Sequence, residues 1–442
     1  MKIHQNNQKF LDITKQLLLK NGRLLDLNSG DLQEVDIVII GGIIRQLGKI
    51  EIVDFQGEIL DLTGAVITPG LFDMHVHFRE PGDEHKETLM TGADAAMADG
   101  FTAVCTMPNT DPATDNPEIV ESIKRKFEQH LLEVYPVAAI SKGRLGRELV
   151  DMAELKRAGA VAFSDDGSPV TNTRLMRQAM RISRELALPI IEHCEDTYLF
   201  QGGAMHEGEI AEELGLPGIP ALAEELMVAR NIMLAEETGG RLHIAHVSTA
   251  GSVELIRRAK EKRLKITCEV APHHFSLTHE AVKTYGTDAK MNPPLRTRKD
   301  VDAILSGLKD GTIDVIASDH APHTAEEKNQ PFIQAPFGII GLETMLGLTL
   351  TKLVRPGVLS LAEAIRKMSW QPANILGLEP SRIELNAMAN LCFFNPEVPW
   401  KVSIAELKSK SKNTPFEGWT LFGKVRGVVN KNRILVMDSQ KP

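Results

Sequence analysis

From Ala65 onward the chain alternates short apolar runs with helix-length amphipathic stretches, and no other feature narrows the possible folds so far. Eight such runs follow in order: AVITPGLFD (65–73), FTAVCTM (101–107), VYPVAAI (134–140), AVAFSD (160–165), LPIIEHC (188–194), RLHIAHV (241–247), KITCEV (265–270) and DVIASD (314–319). Strands separated by helices run parallel, and eight βα units in series predict an α/β fold, a (β/α)8 TIM-type barrel rather than an open sheet. The stretches between carry helix signals of their own. Residues 171–186 place Leu175, Met176, Ala179, Met180 and Ile182 on one stripe, and residues 221–240 end at a Gly pair suited to a C-cap.

Outside this region the character is different. LLLKNGRLLDL (17–27), DIVIIGGII (36–44) and EILDLTG (58–64) read as a small antiparallel sheet, and strand character returns after Gly377 in ANLCFFN (389–395) and KVRGVVNKNRILVMD (424–438). The expected organisation is therefore a barrel over 66–376 and a small satellite β domain built from both ends, 1–65 and 377–442. A total of 442 residues accommodates both. With 43% hydrophobic and 25% charged residues the chain is globular, and a net charge of −9, from 50 Lys+Arg against 59 Asp+Glu, provides no positive field for a nucleic acid. The N-terminal residues hold no apolar segment of signal-peptide type and no run approaches the length of a membrane span, so a cytoplasmic protein without membrane partners is expected. Cys105, Cys194, Cys268 and Cys392 are dispersed, which signals neither a thiolate zinc site nor a disulfide framework.

The histidines carry the chemistry. In DMHVHF, alternation puts His75 and His77 on one face and Val76 on the other, a spacing that suits two ligands of one metal. A lone HxH is as often a packed pair. Position separates the two readings: His193, His246 and Asp319 stand at the ends of strands five, six and eight, on the face where barrel enzymes place their chemistry. Imidazole and carboxylate donors suit zinc, and two histidine pairs suggest two neighbouring ions, which need a bridging anion. FSDDGS offers Asp165 and Asp166, and spacing alone does not choose between them. Arg79, Asn109, Asn292 and His323 lie in loops at the same mouth, where each suits ligand contact or an ordinary loop position. His243 and Cys194 alternate away from the site, with His243 expected among the helices. His273 and His274 are assigned to packing, and His85, His130, His206 and His279 carry no spacing signal.

Taken together, DMHVHFREPGDEHKET (73–88), TMPNTDP (106–112), FSDDGSP (163–169), EHCED (192–196), HEGE (206–209), AHVST (245–249), APHHF (271–275), KMNPPLR (290–296), SDHAPHTAEEK (318–328) and APFGIIGLET (335–344) resemble a bacterial class I dihydroorotase of the amidohydrolase superfamily. KNTPFEGW (412–419) extends the likeness, while Ser164 and NAMANLCFFNP (386–396) depart from the family pattern. The resemblance implies that His75 and His77 hold a first metal, His193 and His246 a second, and Asp166 bridges them. It makes Asp319 the catalytic acid/base, also touching the first metal, and assigns substrate contacts to Arg79, Asn109, Asn292, His323 and the Phe337–Gly338 backbone. An aspartate bridge is a permanent anion at neutral pH and needs no carbon dioxide to acquire its charge, as the carboxylated lysine of many amidohydrolases does. The implied activity is zinc-dependent, reversible cyclisation of N-carbamoyl-L-aspartate to L-dihydroorotate in pyrimidine synthesis, with two Zn2+ per subunit, a homodimer, and association with aspartate transcarbamoylase. The alternatives are another cyclic amidase, such as an allantoinase or a dihydropyrimidinase/hydantoinase, and a non-catalytic homologue acting as a scaffold subunit. The first needs no carboxylate clamp and the second no ligands.

Overall fold

The computed structural model describes residues 10–13, 16–51 and 55–437. Residues 1–9, 14–15, 52–54 and 438–442, which the sequence pattern assigns to the satellite domain, lie outside the described residues. Each of the eight apolar runs supplies one barrel strand: β1 (Leu71–Val76), β2 (Phe101–Thr106), β3 (Glu133–Ala138), β4 (Ala162–Phe163), β5 (Ile190–Glu192), β6 (Leu242–Ile244), β7 (Ile266–Val270) and β8 (Val315–Ile316). They pair in sequence order, all parallel. The ring closes just beyond β8, where Val76 forms a parallel bridge to His320 and the His77 N–H donates to the His320 carbonyl at 2.9 Å.

Helices cover the outside, as the apolar stripes require. Helix Thr173–Glu185 starts at Asn172, whose side chain accepts the Arg174 and Leu175 N–H groups, and it buries Met176, Ala179 and Met180. Helix Leu222–Thr238 ends at Gly239, as the Gly pair predicts. Among the described residues no helix is long and apolar enough to cross a membrane.

The run 65–73, expected as a single barrel strand, is two. Val66–Pro69 joins the satellite sheet, antiparallel to Asn390–Lys401 and parallel to Gln16–Leu25, and only Leu71–Val76 enters the barrel. Gly70 makes the transition possible: a Cβ there would sit 2.0 Å from Asn390 Oδ1 and 2.1 Å from Thr102 Oγ1. The satellite sheet is also larger and more mixed than expected. Among the described residues it has nine strands, and Glu58–Asp61 and Val66–Pro69 both run parallel to Gln16–Leu25. Parallel neighbours need a crossover, which the hairpin of Leu32–Ile40 and Ile43–Gly48 supplies. Strand Asn390–Lys401 joins the two bodies: Leu391 and Phe393 face the satellite core, whereas Cys392 and Phe394 face the barrel core.

Candidate active site

The C-terminal strand ends converge on one buried cluster. β1 carries His75 and, one residue past its end, His77, and the segments after β4, β5, β6 and β8 bring Asp166, His193, His246 and Asp319. His75 Nε2 lies 3.6 Å from Asp166 Oδ1 and 3.5 Å from Asp319 Oδ1, and His77 Nε2 lies 3.5 Å from Asp166 Oδ2 and 3.2 Å from Asp319 Oδ1. On the other side, Asp166 Oδ1 is 3.6 Å from His246 Nε2 and 3.8 Å from His193 Nδ1. Asp166 thus spans both histidine pairs. Asp165 turns away, accepting the Ile140 N–H at 2.8 Å, the Ser141 N–H at 3.1 Å and the Ser141 hydroxyl.

Two donor sets, His75/His77/Asp319 and His75/Asp166/His246, are close enough within themselves to hold a metal ion. His193 belongs to neither at that spacing, although its Nδ1 is 2.9 Å from His246 Nε2. The chemistry of the cluster fits a cation. His75 Nε2, Asp166 Oδ1 and Asp319 Oδ2 are buried without a hydrogen-bond partner, a costly state for polar atoms that a divalent ion relieves. Burial works against both carboxylates, yet His75 and its neighbouring imidazoles hold Asp166 and Asp319 below the ordinary range, so both are anions at neutral pH. Burial likewise disfavours the imidazolium of His75, but Glu269, Asp166 and Asp319 outweigh it and push that ring well above its usual value.

The outer groups orient the rings. His75 Nδ1 donates to Glu269 Oε1 at 2.5 Å, and His77 Nδ1 lies 2.7 Å from Asn109 Oδ1, which leaves Nε2 of each ring facing the cluster. Asn292 Nδ2 is 3.3 Å from both His193 Nε2 and Glu195 Oε2. Arg79, buried, donates from Nε to the Pro322 carbonyl at 3.2 Å, and its Nη2 lies 3.4 Å from His323 Nε2. Burial and then Arg79 push His323 down to about 2, which keeps it neutral. Gly338 has its N–H on the Lys290 carbonyl and its C=O on Lys328 Nζ and Asn413 Nδ2, while the Phe337 ring packs 5.8 Å from that of Phe200 and 4.5 Å from Lys290 Nζ.

One residue read from sequence as distant is close to the cluster. His243 points into the barrel, with Nε2 3.1 Å from Glu269 Oε2 and Nδ1 2.8 Å from Thr267 Oγ1. The alternation argument fails because β6 stops at Ile244 and His246 has φ 31, so His243 and His246 are not on a common extended strand. Glu269 itself was missed, although a carboxylate within the apolar run KITCEV is an available signal. Cys194 does face the helices, accepting from Asn231 Nδ2 at 3.4 Å. His273 and His274 pack on each other, ring centroids 4.4 Å apart, with His274 Nε2 2.9 Å from the Pro293 carbonyl.

Comparison with known proteins gives the family. A family model described as dihydro-orotase-like matches residues 64–252. The dihydroorotase of Pelotomaculum thermopropionicum is 50% identical over 423 residues, covering 96% of this chain and 99% of that one, and the dihydroorotase of Ruminiclostridium cellulolyticum is 49% identical over 409 residues, covering 92% and 95%. Among solved structures, the L-hydantoinase (dihydropyrimidinase) from Arthrobacter aurescens superimposes with a TM-score of 0.85 over 96% of this chain and 97% of that one, at 24% identity, which is a likeness of fold. Identity near one half along almost the whole length, over a barrel whose mouth gathers four histidines and two aspartates, establishes that the chain belongs to the dihydroorotase family.

Proposed function

We propose that this dihydroorotase interconverts N-carbamoyl-L-aspartate and L-dihydroorotate with the buried cluster as its reaction centre. His75 and His77, with Asp319, hold one metal, His193 and His246 a second, and Asp166 lies between them. Zinc, two ions per subunit, suits these nitrogen and oxygen donors. When bound, the metal supplies Lewis acidity, acidifying a water and polarising the ring carbonyl. Asp319, ionised and with Oδ2 free, accepts the proton of the attacking water and passes it to the departing ring nitrogen; in the cyclising direction it takes the ureido proton. Asn109 and Glu269 keep their histidines in the tautomer whose Nε2 faces the centre.

The observation that carries the substrate is Arg79. Its guanidinium is buried beside the cluster; Asp83, Asp319, Asp166 and Glu327 act on its charge from a distance, but its hydrogen bonds among the described residues go to a carbonyl and a neutral imidazole, so a bidentate carboxylate contact is open to an incoming anion. With His323 and Asn109 it forms the seat for the exocyclic carboxylate. Asn292 and Phe337 line the remaining space, and Gly338 contributes by lacking a side chain: a Cβ there would stand 2.7 Å from His323 Cδ2. Because a site built to pair a carboxylate rejects substrates without one, dihydrouracil, hydantoin and allantoin should be turned over at least about 10³-fold less efficiently than dihydroorotate. Arg79→Met should erase most of that difference by lowering kcat/KM for dihydroorotate alone. Equal efficiency of the native enzyme on dihydrouracil and dihydroorotate would instead identify a general cyclic amidase.

A further inference from the structure

The motif KNTPFEGW has entered the site so far only through the Asn413 contact to the Gly338 carbonyl, yet its asparagine does more there. Residues 408–411 are fastened to the barrel: Glu343 accepts the Lys408 and Ser409 N–H groups at 2.6 and 2.9 Å, Glu87 accepts the Lys410 N–H at 3.1 Å, and Ser411 Oγ donates to the Lys86 carbonyl at 2.7 Å. Beyond them the buried Asn413 side chain bridges two catalytic-face loops. Its Oδ1 accepts the His323 N–H at 3.0 Å, and its Nδ2 donates to the Ala321 and Gly338 carbonyls, each at 3.0 Å. Its own carbonyl accepts the Ile340 N–H, also at 3.0 Å. Two carbonyls on one side and an N–H on the other leave the amide a single orientation.

We infer that Asn413 is a positioning residue for substrate specificity: it holds the His323 backbone, and through the His323–Arg79 contact the guanidinium, where the exocyclic carboxylate is received. This rests on the reading of Arg79 and His323 as carboxylate partners. Asn413 forms no hydrogen bond to any residue of the metal cluster, so its loss leaves the reacting groups in place and displaces the clamp alone. An isosteric aspartate is no substitute, because it would turn an anion toward two carbonyl oxygens.

The test is steady-state kinetics of Asn413→Ala in the full chain, with metal content measured alongside. KM for dihydroorotate should rise about 10-fold or more, with kcat and bound metal changed by less than about twofold, in keeping with the sensitivity of catalysis to small misplacements. The ratio of kcat/KM for dihydroorotate over dihydrouracil should fall by the same factor, and in an Arg79→Met background Asn413→Ala should lower it no further. Should the alanine variant fail to fold, Asn413→Ser, which keeps one polar hydrogen and one acceptor, is read in the same way. A role in stability alone would lower both substrates equally and leave the ratio intact, which overturns the inference. If Arg79→Met shifts the ratio and Asn413→Ala does not, the inference fails while the carboxylate reading stands. If Arg79→Met itself leaves the ratio unchanged, both fall.

Discussion

Asp319 has one carboxylate oxygen 3.2 Å from His77 Nε2 and the other without a partner. In the proposed mechanism the first would hold metal and the second would move the proton, and substitution separates the two roles. Asp319→Asn keeps the shape and one carbonyl oxygen but cannot accept the proton, so kcat should fall by at least about 10²-fold while metal content measured on the purified variant stays close to native. Near-native turnover would remove Asp319 from proton transfer. His323 gives a pH dependence with a defined sign. The unfolded chain takes up a proton on this ring below about 6.5, whereas in the fold burial and Arg79 defer it to about 2. Stability from this group is therefore complete above pH 6.5 and is lost on acidification between those values, by about 1.4 kcal/mol for each pH unit. Urea unfolding of His323→Gln between pH 6 and 4 should show a pH slope shallower by about one proton. An unchanged slope would mean that the ring is charged in the folded protein.

Among the elements, β7 has the least expected role. Glu269, one residue before the end of this strand and buried, accepts from His75 and lies 3.1 Å from His243, and although burial opposes its charge those two rings hold it down to about 2. Glu269→Gln retains an acceptor for the His75 N–H but removes the charge. Zinc affinity, measured by competition with a chelator, should fall about 10-fold to 10²-fold, and undiminished affinity would reduce Glu269 to packing. The elements also show where a sequence can be read and where it cannot. Apolar runs and helix stripes report burial, which is local, so eight strands and the helices 173–185 and 222–238 were legible. Alternation holds only while the backbone is extended. It placed His75 and His77 together, but it misplaced His243, because the chain leaves β6 before His246. The choice between Asp165 and Asp166 depends on which one finds the N–H groups of Ile140 and Ser141, a contact across 24 or more residues that no local pattern contains. The split of 65–73 between two sheets at Gly70 was hidden for the same reason, since Asn390 and Thr102 impose it from elsewhere in the chain.

At the scale of the whole molecule, the satellite sheet and the barrel share a strand whose alternate side chains enter different cores. Phe393 and Phe394, both fully buried, are adjacent in sequence and lie in separate apolar clusters. Each changed to Ala should cost about 3–5 kcal/mol, and both variants should unfold in a single denaturant transition. Two resolved transitions would show a satellite that is stable by itself. One further consequence concerns the mouth. Arg79, His246 and Asp319 have φ of 41, 31 and 47, in the left-handed region that side-chain-bearing residues avoid. The rest of the molecule holds them there, so the enzyme is less durable than its own architecture permits. Asp319→Gly should prove about 1–2 kcal/mol more resistant to unfolding than Asp319→Ala, both inactive under the proposed mechanism, and equal stabilities would show an unstrained backbone. Selection of variants for heat resistance alone would then gather glycines at positions the reaction needs, improving the scaffold while emptying it of catalysis.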